Sequence, residues 1–95
     1  MVRVLIERRC RADKAGELGK LLVELRSQGV QQPGYVSGET LNSLSDPALW
    51  LVISTWLDAD QWQTWENSSE RQKFVHQIAP LLVEPEKISV FSFVE

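Results

Sequence analysis

Arg8, Tyr35, Trp62, Trp65 and His76 are the residues of this chain whose side chains could act on a ligand. Trp62 and Trp65 stand three apart, so on a helix they share one face. Indoles so placed either fill the core between helix and sheet or line a pocket and stack on a flat molecule. The planar fork of Arg8 could hold a phenolate or a carboxylate. Its plainer role is that of a surface arginine paired with an acidic neighbour. Tyr35 could orient a ligand through its hydroxyl, or simply pack at an edge strand. His76 is the only histidine, which argues against a histidine-based metal cluster or a Ser-His-Asp triad. It falls opposite the apolar stripe of Phe74, Ile78 and Leu81, and so reads as solvent-facing. Cys10 lies between Arg9 and Arg11, which would favour a thiolate if it were exposed; otherwise it is structural.

The elements that would position these residues follow from hydrophobic period. Val2, Val4 and Ile6 alternate with Arg3 and Glu7, the pattern of a strand. Arg8 continues the parity of the three apolar residues. If their face meets helices, its guanidinium sits at a pocket mouth near Trp65. Asp13 is a plausible N-cap for a helix whose Leu18, Leu21, Leu22 and Leu25 form one apolar face, and Gly29 is a suitable stop. Pro33-Gly34 signals a turn. Tyr35 to Leu41 reads as a second strand, weakened by Gly38, and Leu49 to Trp56 as a third, the two joined as a hairpin. Asp58 with Gln61, and Ser69 with Gln72, fit capping boxes. They predict two helical pieces, about Ala59 to Asn67 and about Glu70 to Ala79, with Pro80 ending or kinking the second. Ile88 to Val94 is the last strand.

The order β-α-β-β-α-β is the ferredoxin-like arrangement: an α+β fold with a four-stranded antiparallel sheet and helices on one face. Residues 1–95 make one domain, without repeats or linkers. The last strand is apolar on both sides: Ile88, Val90 and Val94 point one way, Phe91 and Phe93 the other. The third strand sets Leu49, Leu51 and Ile53 against Trp50, Val52 and Trp56. Strands of that kind are covered on both faces, and helices can cover only one. We therefore expect a homodimer with sheets packed face to face.

Composition excludes several classes. Hydrophobic and charged shares of 43% and 24% are those of an ordinary globular domain. No apolar run is long enough for a membrane span, the N-terminus lacks the apolar region of a signal peptide, and a single cysteine makes no internal disulfide. These features suit the cytoplasm. A net charge of −3 argues against nucleic-acid binding, and the third strand, LWLVISTW, lacks the basic-glycine-aromatic pattern of RNA-recognition domains. Arg3, Arg8, Arg9, Arg11 and Lys14 cluster early, either as a solvated strand end or as an anion-attracting spot. No dinucleotide or phosphate-loop fingerprint is present.

The segment PGYVSGETL (Pro33 to Leu41), the strand ending in Trp56, the run WENSSERQ (Trp65 to Gln72) and the spacing of Ile78, Leu81 and Leu82 before Pro85 resemble the antibiotic biosynthesis monooxygenase (ABM) domain family. The resemblance spans nearly the whole chain and implies a dimeric α+β barrel. It also implies one of several activities: cofactor-independent oxygenation of polycyclic phenols, oxygenation of quinols, or heme degradation. In the first two the substrate anion activates oxygen, and Arg8 and Tyr35 would stabilise that anion while Trp65 holds the ring. The heme-degrading branch uses an asparagine where this chain has Arg8, a tryptophan that matches Trp65, and a histidine one position from His76. Heme is thus an alternative ligand, and a non-catalytic dimeric domain with Trp62, Trp65 and Phe74 filling the pocket is a third reading.

Overall fold

A computed structural model describes residues 1–94. The chain runs β1 (Val2–Arg9), α1 (Ala15–Gly29), β2 (Tyr35–Asn42), β3 (Leu49–Trp56), α2 (Ala59–Glu66), α3 (Ser69–Ile78), a 3-10 turn (Ala79–Leu81) and β4 (Lys87–Ser92). All strand pairs are antiparallel, in the order β2-β3-β1-β4. This is the ferredoxin-like α+β fold expected from the element order. The register sets Val4 opposite Ser54 and Val90, and Ile6 opposite Val52 and Ile88. Val4, Ile6, Arg8, Trp50 and Trp56 therefore share the face on which the helices pack, because side chains alternate along a strand.

Local chemistry explains most element boundaries. The Asp58 side chain accepts from the Gln61 N–H at 2.8 Å and starts α2. The second cap is one residue earlier than the sequence pattern suggests: Ser68, not Ser69, accepts from the N–H of Arg71 at 3.2 Å. Asp13 is not a cap; α1 begins after Lys14, without a side-chain cap bond. Nor does Gly29 stop α1 by turning left-handed. It is the last helical residue, and the chain continues right-handed through Val30, closing with Gln31 and Gln32 N–H groups donating to the carbonyls of Gln28 and Gly29. The left-handed position falls at Gly34, with φ of +88°. Pro80 ends α3 by converting it to the 3-10 turn. Strand β4 stops at Ser92, two residues short of the expected end.

Two apolar clusters fill the space between helices and sheet. One joins Leu18 and Leu22 of α1 to Cys10, Ile78, Leu81 and Leu82. The other is Val4, Ile6, Trp56, Trp62 and Trp65. Leu25 packs against both. The opposite sheet face carries Leu5, Leu51, Ile53 and Phe91, with Arg3 lying over the Phe93 ring at 5.4 Å. Phe91 and Phe93 are about half exposed.

Gly34 is the position where the backbone most needs glycine, since a Cβ there would also run into the Gln61 side chain. Gly34→Ala should cost about 1–2 kcal/mol or more in urea unfolding, the penalty of left-handed backbone for an L-residue. Gly16→Ala, in open space on α1, should leave stability unchanged or raise it by up to about 1 kcal/mol.

Candidate functional site

The helix-facing side of the sheet holds a pocket between α1 and the strands β1, β2 and β3, lined by Leu22, Leu25, Ile6, Tyr35, Trp56, Trp62, Trp65, Arg8 and Arg71, among others. Its aromatic wall is built stepwise. The Tyr35 and Trp56 rings meet edge to face at 5.5 Å, and Trp56 meets Trp62 at 5.6 Å, the arrangements favoured by ring quadrupoles. Trp56 is held by its own ring N–H, which donates to Ser54 Oγ at 3.0 Å. Tyr35 is seated by Gly38: a Cβ there would lie 2.6 Å from the tyrosine hydroxyl. That glycine, read from sequence as a weakness of the strand, makes room for the Tyr35 ring at a β-bulge between Tyr35 and Ser37. At the rim, Arg26 Nη2 donates to the Gly38 carbonyl at 2.8 Å and bridges α1 to β2. Free space inside is about 60 Å³.

The polar end of the pocket is an ion cluster. Arg8 is not a surface arginine; its side chain is 1% exposed. It does have an acidic partner: Arg8 Nε donates to Glu86 Oε2 at 3.0 Å. Its Nη2 lies 2.8 Å from the same oxygen, close enough for charge pairing but off the line of a hydrogen bond. Arg71 Nη2 donates to Glu86 Oε1 at 3.1 Å, and the Arg71 guanidinium sits 5.4 Å from the Trp62 ring centroid. Two guanidinium groups thus share one carboxylate. Arg8 Nη1 and Trp62 Nε1 are buried with no hydrogen-bond partner among the described residues. Burial lowers the Arg8 pKa from its ordinary value; Glu86 opposes this and the Arg71 charge adds to it. A guanidinium remains protonated under such shifts.

The five residues singled out by type separate here. Arg8, Tyr35, Trp62 and Trp65 are brought together as pocket lining. His76 is exposed on α3 and does not line the pocket, so it is unavailable as a ligand there. Phe74 packs against the other apolar cluster and does not fill the pocket. Trp50 and Trp56 belong to the helix-facing core, not to the open face of the sheet. Cys10 is buried, and burial followed by Asp13 pushes its thiol pKa up, the reverse of the thiolate its arginine neighbours suggested. The early basic cluster is split: Arg9 pairs with Asp46 at 2.8 Å on the surface, while Arg8 turns inward.

Sequence reading missed Arg71 and Glu86. Arg71 had a signal: with Phe74 and Ile78 it falls at i, i+3 and i+7, a charge on the buried stripe of α3. Glu86 had none, lying in the connection just before β4. Glu86→Ala would leave two buried guanidinium groups without their carboxylate. It should destabilise by about 3–5 kcal/mol in urea unfolding, the usual cost of breaking a buried pair. Arg8→Met, which leaves the Arg71–Glu86 pair closed, should cost less.

Comparison with known proteins bears on this architecture. The chain spans only 13% and 14% of the length of two curated relatives it matches. One is protein SchA of Streptomyces halstedii, 35% identical over 48 residues, which is 50% of this chain. Among solved structures, a conserved protein from Methanosarcina mazei Go1 superposes with a TM-score of 0.89 at 16% identity, covering 95% of this chain and 89% of that one. SnoaB from Streptomyces nogalater, described as a cofactor-independent oxygenase, does so at 0.88 and 14% identity, covering 99% and 93%. At such identities the likeness speaks for the fold alone. The family model for antibiotic biosynthesis monooxygenases matches residues 1–77. With the fold and this match together, the chain belongs to the antibiotic biosynthesis monooxygenase family.

Proposed function

We propose that this protein is a cytoplasmic homodimeric monooxygenase, independent of added cofactor, that acts on a single-ring phenol or quinol. The observation that carries the reading is Nη1 of Arg8, buried inside an aromatic pocket with no hydrogen-bond partner among the described residues. A buried donor with no acceptor is costly unless a ligand or an ordered water supplies one, and a ligand oxygen in this pocket can replace such a water. A phenolate oxygen supplies it, and the tryptophan rings supply a surface for the ring to stack on. The likeness to SnoaB's fold is in keeping with chemistry that needs no cofactor.

Pocket size narrows the substrate. An engineered cavity of about 150 Å³ holds benzene, and the free space here is about 60 Å³. Even a single ring therefore requires the α1–β2 rim, closed here by the Arg26–Gly38 hydrogen bond, to open. A polycyclic ring system or a heme needs far more.

The reaction balances on the substrate's own electrons. A quinol loses a hydroxyl proton, and its anion transfers an electron to O2. The two radicals then join through a new ring carbon–oxygen bond. The peroxide formed takes up a proton, its O–O bond breaks with loss of water, and the ring carbon keeps one oxygen as a carbonyl. Quinol plus O2 gives hydroxyquinone plus water. Arg8 favours the anion that starts the sequence, Tyr35 is a second donor at the rim, and Trp56, Trp62 and Trp65 exclude water.

The dimer reading rests on the uncovered face carrying Leu5, Leu51, Ile53 and Phe91, which a second copy of the same sheet would bury. Sedimentation at micromolar concentration should give a dimer, and Ile53→Lys a monomer. Oxygen uptake with single-ring phenols and quinols, without added metal or flavin, should proceed with one O2 per ring oxidised. Arg8→Met should lower kcat by about 100-fold. Saturable binding without uptake across the panel would leave a ligand-binding domain and overturn the enzymatic reading.

A further inference from the structure

We infer that Arg71 is a positioning residue that sets the charge of the pocket: by sharing Glu86 with Arg8, it leaves the site with one uncompensated positive charge and so selects the ionised form of a hydroxy-aromatic ligand. The inference deepens the reading above and rests on it.

Arg8 and Arg71 are both almost fully buried, at 1% and 2% side-chain exposure, and Glu86 is 13% exposed. Had Glu86 only one arginine to satisfy, the pair would be neutral and Arg8 would have little reason to prefer an anion. Burial would then penalise a phenolate, and the neutral phenol would bind better. With two arginines on one carboxylate the cluster carries +1. Screening by water is weak at such depth, so that charge acts on whatever occupies the pocket.

Geometry divides the labour between the arginines. Glu86 engages Nε and Nη2 of Arg8, which fixes the plane of its guanidinium and leaves Nη1 unpartnered. Arg71 gives its Nη2 to the other carboxylate oxygen and lies over the Trp62 ring. Arg8 is thus the group that meets the ligand oxygen, and Arg71 acts through Glu86. The two guanidinium groups, held on opposite oxygens of one carboxylate, repel each other, and an anionic ligand relieves that repulsion.

The other titratable groups around the pocket do not overturn the count. Strand β3 contributes no charged residue. At the rim, Glu39 of β2 is exposed and Arg26 of α1 is at the surface, with opposite signs. Tyr35 is neutral when protonated. Lys87 of β4 pairs in register with Glu7, whose parity is that of the opposite sheet face.

The test uses 4-nitrophenol, whose phenolate absorbs in the visible, so that the ionisation of the bound ligand can be titrated directly. With the wild-type protein the bound phenol should ionise at least one pH unit lower than in water, equivalent to about tenfold tighter binding of phenolate than of phenol. Arg71→Met should bring that pKa back to its value in water or above it, and Arg71→Lys should keep most of the shift. Glu86→Gln should lower it further. A general loss of packing would weaken both forms of the ligand alike and leave their ratio unchanged. A wild-type protein that binds the neutral phenol better overturns the inference without any variant. So does a folded Arg71→Met protein with the wild-type shift; in that case the pocket reading stands while the role of Arg71 falls. No saturable binding by the wild type would remove the pocket reading and the inference together.

Discussion

The carboxylate of Glu86 is the constraint on which the helix-facing side of this protein depends. It stands at the entry to β4, yet its two oxygens engage β1 through Arg8 and α3 through Arg71. Three segments distant in sequence are thereby tied at one point beneath the helices. Burying two guanidinium groups without such a partner would be prohibitive. The position of α3 over the sheet and the approach of the last strand to β1 are therefore linked electrostatically as well as by packing. A hydrophobic trio of similar volume could serve stability as well or better. Retention of charge at this depth makes sense when the cluster also meets a ligand.

From that point an aromatic column extends to the opposite rim. Arg71 lies over Trp62, Trp62 meets Trp56, and Trp56 meets Tyr35. Each contact is modest, about 1 kcal/mol beyond the area it buries. Together they hold the side chains of four elements in one orientation, and they leave a small gap bounded by Leu22 and Leu25. The second apolar cluster, around Leu18 and Ile78, contains no tryptophan among its fully buried members. The first of these arrangements surrounds the pocket; the other closes the far half of the helix–sheet interface.

Much of this was legible in the residues. The apolar run Leu49 to Trp56 marked β3 to the residue, and the alternation of Val2, Val4 and Ile6 marked the start of β1 but not its end at Arg9, because polar residues there carry no apolar period. The caps of α2 and α3 were readable to within one position, since Asp58 stands alone before α2 while Ser68 and Ser69 are adjacent and either could cap; Asp13 misled, because α1 begins after Lys14 with no side-chain cap bond. The end of α1 was not readable, since Gly29 can serve as a right-handed helical residue as easily as a left-handed one, and the turn chemistry passed to Gly34. Arg8 could be assigned a face by parity, though not a depth, because parity says nothing of what covers a face. Its partner was hidden, for an acidic residue in a connecting segment carries no periodic signal. His76, conspicuous by type, is placed by helical period on the solvent side of α3, and there the structure puts it.

Strand β1 alternates between two environments at each step. Ile6 and Arg8 serve the pocket, while Leu5 and Glu7 belong to the opposite surface. Backbone pairing with β3 and β4 would be satisfied equally well by a frame displaced by one residue, since every residue offers the same main-chain donor and acceptor. Such a displacement would set Glu7 where Arg8 stands with Leu5 in place of Ile6, or Arg9 where Arg8 stands with Glu7 in place of Ile6. An insertion or deletion of one residue within β1 would therefore leave an intact sheet wrapped around an erased site. The length of this strand is consequently a more rigid inheritance than the identity of any one apolar residue in it.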